Sequence, residues 1–164
     1  MPASDNDPSM GQSTPRSAAY RIFWLGRYIE RAEGNARLLD VRYYGGIEAG
    51  PGGTPSAPWE SALRSLGLWE AFVRTGLPVT DRHVAEYLLR GETNSSSLLR
   101  CIEQARENAN GAAPDEIFVE LNRLYLLVKS TATEEIWRQG LHEFISGVIR
   151  SIHTIGGMID RLWA

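Results

Sequence analysis

Glu30, Glu33, Arg37 and Asp40 are spaced three, four and three residues apart, which stacks them on one face of a helix. Arg27 stands one turn before Glu30 and extends the row. Charged residues beside an apolar stripe fit three kinds of chemistry. The first is an ion and hydrogen-bond network to neighbouring helices, which fixes register while adding little net stability. The second is a polar binding patch that faces a groove. The third is a carboxylate metal site, with Glu30-x-x-Glu33 placing two carboxylates on one ion. A ferritin-like di-iron centre needs Glu-x-x-His pairs. None of His83, His142 and His153 follows a Glu by three residues, so no metal is expected. Acid–base catalysis by Glu30 or Glu33 would require a carboxylate in a concave pocket with a raised pKa.

A counterpart to the row lies further along the chain in Arg106, Glu107, Asn108 and Asn122. Arg106 is expected to pair with Glu30 or Glu33, with Asn108 or Asn122 satisfying the remaining polar groups, because a buried network must be fully bonded. Cys101 sits among apolar neighbours and reads as an inert core thiol, since no histidine signature accompanies it. The three histidines are scattered and read as surface or satisfied structural residues. The glycines of 45–58 are not followed by Gly-Lys-Ser/Thr, so no phosphate loop and no cofactor are expected.

The elements that must position these residues are helices. The first is predicted from Thr14 as N-cap and Pro15 at the first helical position to Tyr44, where Gly45-Gly46 ends it. Its apolar face is Ile22, Leu25, Ile29, Ala32, Ala36 and Leu39. Gly34 costs this helix about 1 kcal/mol relative to Ala and is expected to mark close approach by another helix. Residues 45–58 hold five glycines and three prolines and read as a loop. Further helices are predicted over 58–74, from the Thr80 cap to Gly91, from Asn94-Ser95-Ser96 to Gly111, from Pro114, and from Thr133 onward. Gly156-Gly157 is a candidate bend or end of the last. No segment alternates with period two. The expected fold is all-α, a bundle of about six mostly antiparallel helices. The nine charged and amide residues above would then line or brace a groove between the first, fourth and fifth helices.

Composition bounds the rest. The chain has 164 residues, suited to one domain over 14–164 behind a Ser-, Pro- and Asp-rich tail at 1–13 that reads as disordered. Seventeen basic and twenty acidic side chains give a formal charge of −3, which argues against a nucleic-acid-coating role. One cysteine excludes an intrachain disulfide and a cysteine-based zinc site. The first residues read unlike a secretory leader, and no apolar run approaches a membrane span, so a cytoplasmic location without membrane partners is expected. Sixteen arginines stand against the single Lys129, a skew that genomic nucleotide bias would explain.

Three stretches carry a resemblance. The run from Phe23 to Tyr28, through Glu30-Arg31-Ala32-Glu33, to Ala36-Arg37-Leu38-Leu39-Asp40-Val41 resembles the opening helix of the bacterial alpha-E family. Asn94 to Ser97, through Cys101, to Ala105-Arg106-Glu107-Asn108-Ala109 resembles its "N-P-S-S … A-R-E-N-A" helix, with Ser95 in place of the proline. Leu121-Asn122-Arg123-Leu124-Tyr125-Leu126 resembles its "L-N-x-x-Y/W-L" helix. The match spans roughly residues 17–164. The resemblance implies an all-helical protein whose genes accompany circularly permuted ATP-grasp and transglutaminase-like proteins. An accessory, non-catalytic role in making or modifying a peptide or amide bond is the expectation, with those proteins as partners. Family members commonly continue into a second half with another such helix, so a homodimer or a missing half is a further expectation. Catalysis by Glu30 or Glu33 and a homo-oligomeric scaffold remain open alternatives.

Overall fold

The computed structural model describes residues 13–48 and 57–164, with side chains described over 17–40 and 58–164. All eight elements among the described residues are α-helices: α1 (Ser13–Glu48), α2 (Ala57–Ser65), α3 (Trp69–Val73), α4 (Asp81–Arg90), α5 (Leu98–Ala109), α6 (Asp115–Ser130), α7 (Thr133–Gln139) and α8 (Leu141–Asp160). The all-α expectation holds. The two additional helices arise from two glycines. Gly67, at φ +70°, separates α2 from α3, and Gly140, at φ +102°, separates α7 from α8. L-residues pay to enter that region, so each glycine sits where the chain turns sharply between short helices. The single helix predicted over 58–74 is therefore two.

Helix boundaries follow local chemistry closely. Thr80 caps α4 by accepting from the His83 N–H, and α4 stops at Gly91. At α5 the cap is Ser97, which accepts from the Arg100 N–H at 3.1 Å. Asn94 instead makes an Asx turn ahead of the helix, accepting from the Ser96 N–H at 3.0 Å, while its Nδ2 donates to the Tyr87 carbonyl. Thr133 opens α7 but does not cap it, since its hydroxyl is engaged with Glu86 and Arg90. Gly45-Gly46 does not end α1, which runs to Glu48, and Gly156-Gly157 stays helical within α8. Glycine lowers helix propensity without forbidding propagation from turns already formed. Of the tail read over 1–13 and the loop read over 45–58, residues 1–12 and 49–56 lie outside the described residues, while Ser13, 45–48 and 57–58 are helical.

α1 is the centre of the bundle and packs mainly against α5 and α8; α6 joins both of these. The cross-helix pairs give the directions. Arg21 meets the far end of α5 and Asn35 its beginning, so α1 and α5 are antiparallel. Asp40 meets His142 and Glu33 meets His153, so α1 and α8 are antiparallel too. One apolar cluster fills the interior. It contains Leu25, Ile29, Ala32, Ala36 and Leu39 of α1, with Ile117, Leu121 and Leu124 of α6. From α8 it takes Phe144, Ile145, Val148, Ile152 and Ile155. These are the positions the three-and-four spacing selects.

Candidate functional site

Successive helical residues step by about 100°. On α1 this puts Leu25, Ile29, Ala32, Ala36 and Leu39 on a central buried stripe with a polar shoulder on each side. One shoulder carries Glu30, Glu33, Arg37 and Asp40. The other carries Tyr28, Arg31, Asn35 and Leu38. α8 covers the first shoulder and α5 the second.

On the α8 shoulder, Glu33 accepts from Arg37 Nε at 2.9 Å and lies 2.9 Å from His153 Nε2. The histidine, then the arginine, holds its carboxyl below the usual carboxylate range. Asp40 lies 2.8 Å from His142 Nδ1. Arg27 and Glu30 pair with each other at 3.4 Å, with the Glu30 side chain 73% exposed. His142 and His153 are thus the partners that the α1 row finds, which their scatter along the sequence concealed.

Arg106, Glu107, Asn108 and Asn122 lie elsewhere. Arg106 donates to Asn122 Oδ1 at 3.1 Å and stacks 3.8 Å above the Tyr125 ring. Asn108 donates to the Gln104 carbonyl within α5. Glu107 is exposed, and its carbonyl accepts from Arg21. The expected pairing of Arg106 with Glu30 or Glu33 does not occur, because α5 lies against the opposite shoulder of α1. The nine residues bond in separate small groups.

The α5 shoulder carries a cleft that the expected network did not include. It encloses about 550 Å³ between α1, the start of α5, Leu88 of α4 and the turn joining α2 to α3. Tyr28, Arg31, Asn35 and Leu38 form its α1 wall. Ser95, Ser96, Arg100, Cys101 and Gln104 form the facing wall, and Leu66 and Leu68 close the side. Its volume falls in the range of small-molecule sites, about 300–1,000 Å³. Arg31 is placed by aromatic stacking, its guanidinium carbon 5.4 Å from the Tyr28 ring and 6.0 Å from the Trp24 ring. Arg100 is paired with Glu103 at 2.6 Å. Asn35 Nδ2 donates to the Ser96 carbonyl at 2.8 Å. Cys101 is almost fully buried in this wall, and desolvation pushes its thiol pKa up, which keeps it protonated and unreactive.

Among the described residues no three His, Cys, Asp or Glu side chains are grouped to hold a metal ion. Nor, among them, is any helix long and apolar enough to cross a membrane. No curated protein and no solved structure matches the chain. The profile of the Alpha-E family, described as a predicted alpha-helical domain with a conserved ER motif, matches residues 15–162. Glu30-Arg31 is the sole Glu-Arg dipeptide in the sequence. It sits at the middle of α1, with Glu30 toward solvent and Arg31 in the cleft. The match covers nearly the whole chain and its motif falls on the helix around which the bundle is built: the chain belongs to the Alpha-E family.

Proposed function

We propose that this protein is a non-catalytic binding module that serves an ATP-grasp-type peptide or amide ligase system in the bacterial cytoplasm. One observation carries the reading: the Arg of the Glu-Arg motif lines a cleft of about 550 Å³. An open cavity with two arginines, two amides and several leucines in its walls is suited to holding a ligand. The carboxylates fit catalysis poorly. Glu33 is held in its ionised form by His153 and Arg37, the opposite of a poised general acid. Glu30 stands in solvent beside Arg27, outside any concave site. The link to a ligase comes from the family resemblance and supplies the choice of partner.

The test is co-elution of the full chain with the ATP-grasp protein encoded nearest to its gene, with mass read by light scattering. The expected result is a stoichiometric complex. A chain that elutes alone at every ratio overturns the reading. The same measurement addresses the scaffold alternative, which the exposed aromatic side chains of Tyr20 and Phe23 on α1 favour. A concentration-independent monomer removes an obligate dimer.

A further inference from the structure

We propose that the α1–α5 cleft binds the free carboxylate end of a short peptide whose last residue carries an apolar side chain. This deepens the binding-module reading by naming the ligand class, and it rests on that reading only for its biological setting.

Charge selects the end group. Two guanidiniums line the cleft, and they differ. Arg100 is neutralised by Glu103 at 2.6 Å. Arg31 has no carboxylate within ion-pair distance among the described residues, and its guanidinium carbon lies 5.4 Å from the Tyr28 ring centroid and 6.0 Å from that of Trp24. One uncompensated guanidinium matches a monoanion. The Arg31 guanidinium N–H groups are thus left for an acceptor from outside, and a planar carboxylate suits that fork bidentately. A phosphate group would bring about 1.5–2 negative charges at neutral pH against that one positive charge.

The amides select the next group. Asn35 Nδ2 is occupied by the Ser96 carbonyl, which fixes the side chain's orientation. Its Oδ1 is left as an acceptor in the cleft wall, suited to a peptide N–H. Gln104 adds a side-chain donor and acceptor on the facing wall. One side of the wall is apolar. Leu66 and Leu68 belong to it, and the Leu66 side chain is 38% exposed. An aliphatic or aromatic side chain seated there would remove that surface from water. The cleft volume of about 550 Å³ accommodates a ligand of two or three residues, in the size range of drug-like molecules.

The experiment titrates the full chain with N-acetyl-alanyl-leucine, with its C-terminal amide, and with inorganic phosphate, followed by calorimetry and amide NMR shifts. The free acid is expected to saturate with a Kd below about 1 mM. The amide should bind at least about ten-fold more weakly, since it loses the charge-assisted pair. Arg31→Gln should weaken the acid by a similar factor without changing the melting curve, because the side chain is exposed and pairs with no carboxylate. Arg31→Lys should not restore the affinity, as it keeps the charge and loses the planar fork. Arg27→Gln, away from the cleft, should leave affinity unchanged. Equal binding of acid and amide, tighter binding of phosphate than of peptide, or no saturable binding of the acid each overturns the proposal. If the peptide fails while the chain still co-elutes with its ligase, the ligand assignment falls and the module reading stands. Peptide binding without co-elution has the reverse meaning.

Discussion

Glu33 shows how a single residue's setting decides its worth. Its spacing from Arg37 makes the local ion pair legible in the sequence, but the contact to His153 comes from a residue 120 positions away. The carboxylate side chain is 32% exposed and Arg37 is 54% exposed, so the group is screened. Glu33→Gln is expected to cost about 0.3–1 kcal/mol at neutral pH, measured by urea denaturation. A larger loss of 2–4 kcal/mol would require a buried, unpaired arginine, and Arg37 is not buried. The sign with pH follows from the lowered pKa. A carboxyl depressed in the folded state stabilises above its unfolded value and loses that contribution as pH falls through the folded value. The difference between wild type and Glu33→Gln should therefore hold between about pH 6 and 8 and fade below about pH 4. A difference that persists undiminished at pH 3 would mean that the carboxylate is not its source.

Among the elements, the glycines separate into two kinds that the sequence does not distinguish. Gly34 lies on the exposed side of α1, and a Cβ there would meet nothing within 4 Å. The expected close approach by another helix is absent, so the residue costs α1 propensity without a packing return. Gly34→Ala should raise stability by about 0.5–1 kcal/mol, seen as a higher Tm. Gly140 also has open space around a Cβ, the nearest atom lying 3.9 Å away, but its φ of +102° is hostile to any side chain. Gly140→Ala should lower stability by about 1–2 kcal/mol. Opposite signs at two uncrowded glycines would show that backbone conformation sets the outcome. The apolar faces of α4, α5, α6 and α8 were legible because helical periodicity is a local property. The breaks at Gly67 and Gly140 were not, because a glycine in sequence looks the same whether φ is negative or positive.

At the scale of the molecule, arginine side chains join helix ends. Arg90 of α4 is 13% exposed and reaches the C-terminal end of α6. It donates to the carbonyls of Val128 at 2.9 Å and Thr131 at 2.6 Å, and to Thr133 Oγ1 at 3.1 Å, while pairing with Glu86. These carbonyls have no partner within their own helix, and a cation there also meets the negative end of the helix dipole. Arg21 does the same for α5 through the carbonyls of Glu107 and Asn110. Part of the arginine excess thus has a structural use: one fork bonds several carbonyls at once, which a lysine ammonium does with less preorganisation. Arg90→Ala should cost about 2–3 kcal/mol by thermal or urea unfolding, with Arg90→Lys recovering only part of it. Arg74→Ala serves as the comparison, since Arg74 is exposed and pairs only with Glu70 at 3.8 Å, and it should change stability by less than about 0.5 kcal/mol.

The sequence by itself determined the all-α class, several helix boundaries such as those of α4, and the buried stripe of nearly every helix. Each of these depends on residues within a turn or two of one another. It also contained the Glu-Arg motif and placed it on α1. Only the tertiary structure decided which helix covers which shoulder of that stripe. It assigned Asp40 to His142, 102 residues away, and Glu33 to His153, and it turned Arg106 to Asn122 and Tyr125. It also set Arg31 and Asn35 opposite Arg100 and Gln104 around a cleft. The reason is geometric. Spacing along a helix fixes which side chains share a face, whereas the neighbour that meets a face depends on the path of the whole chain.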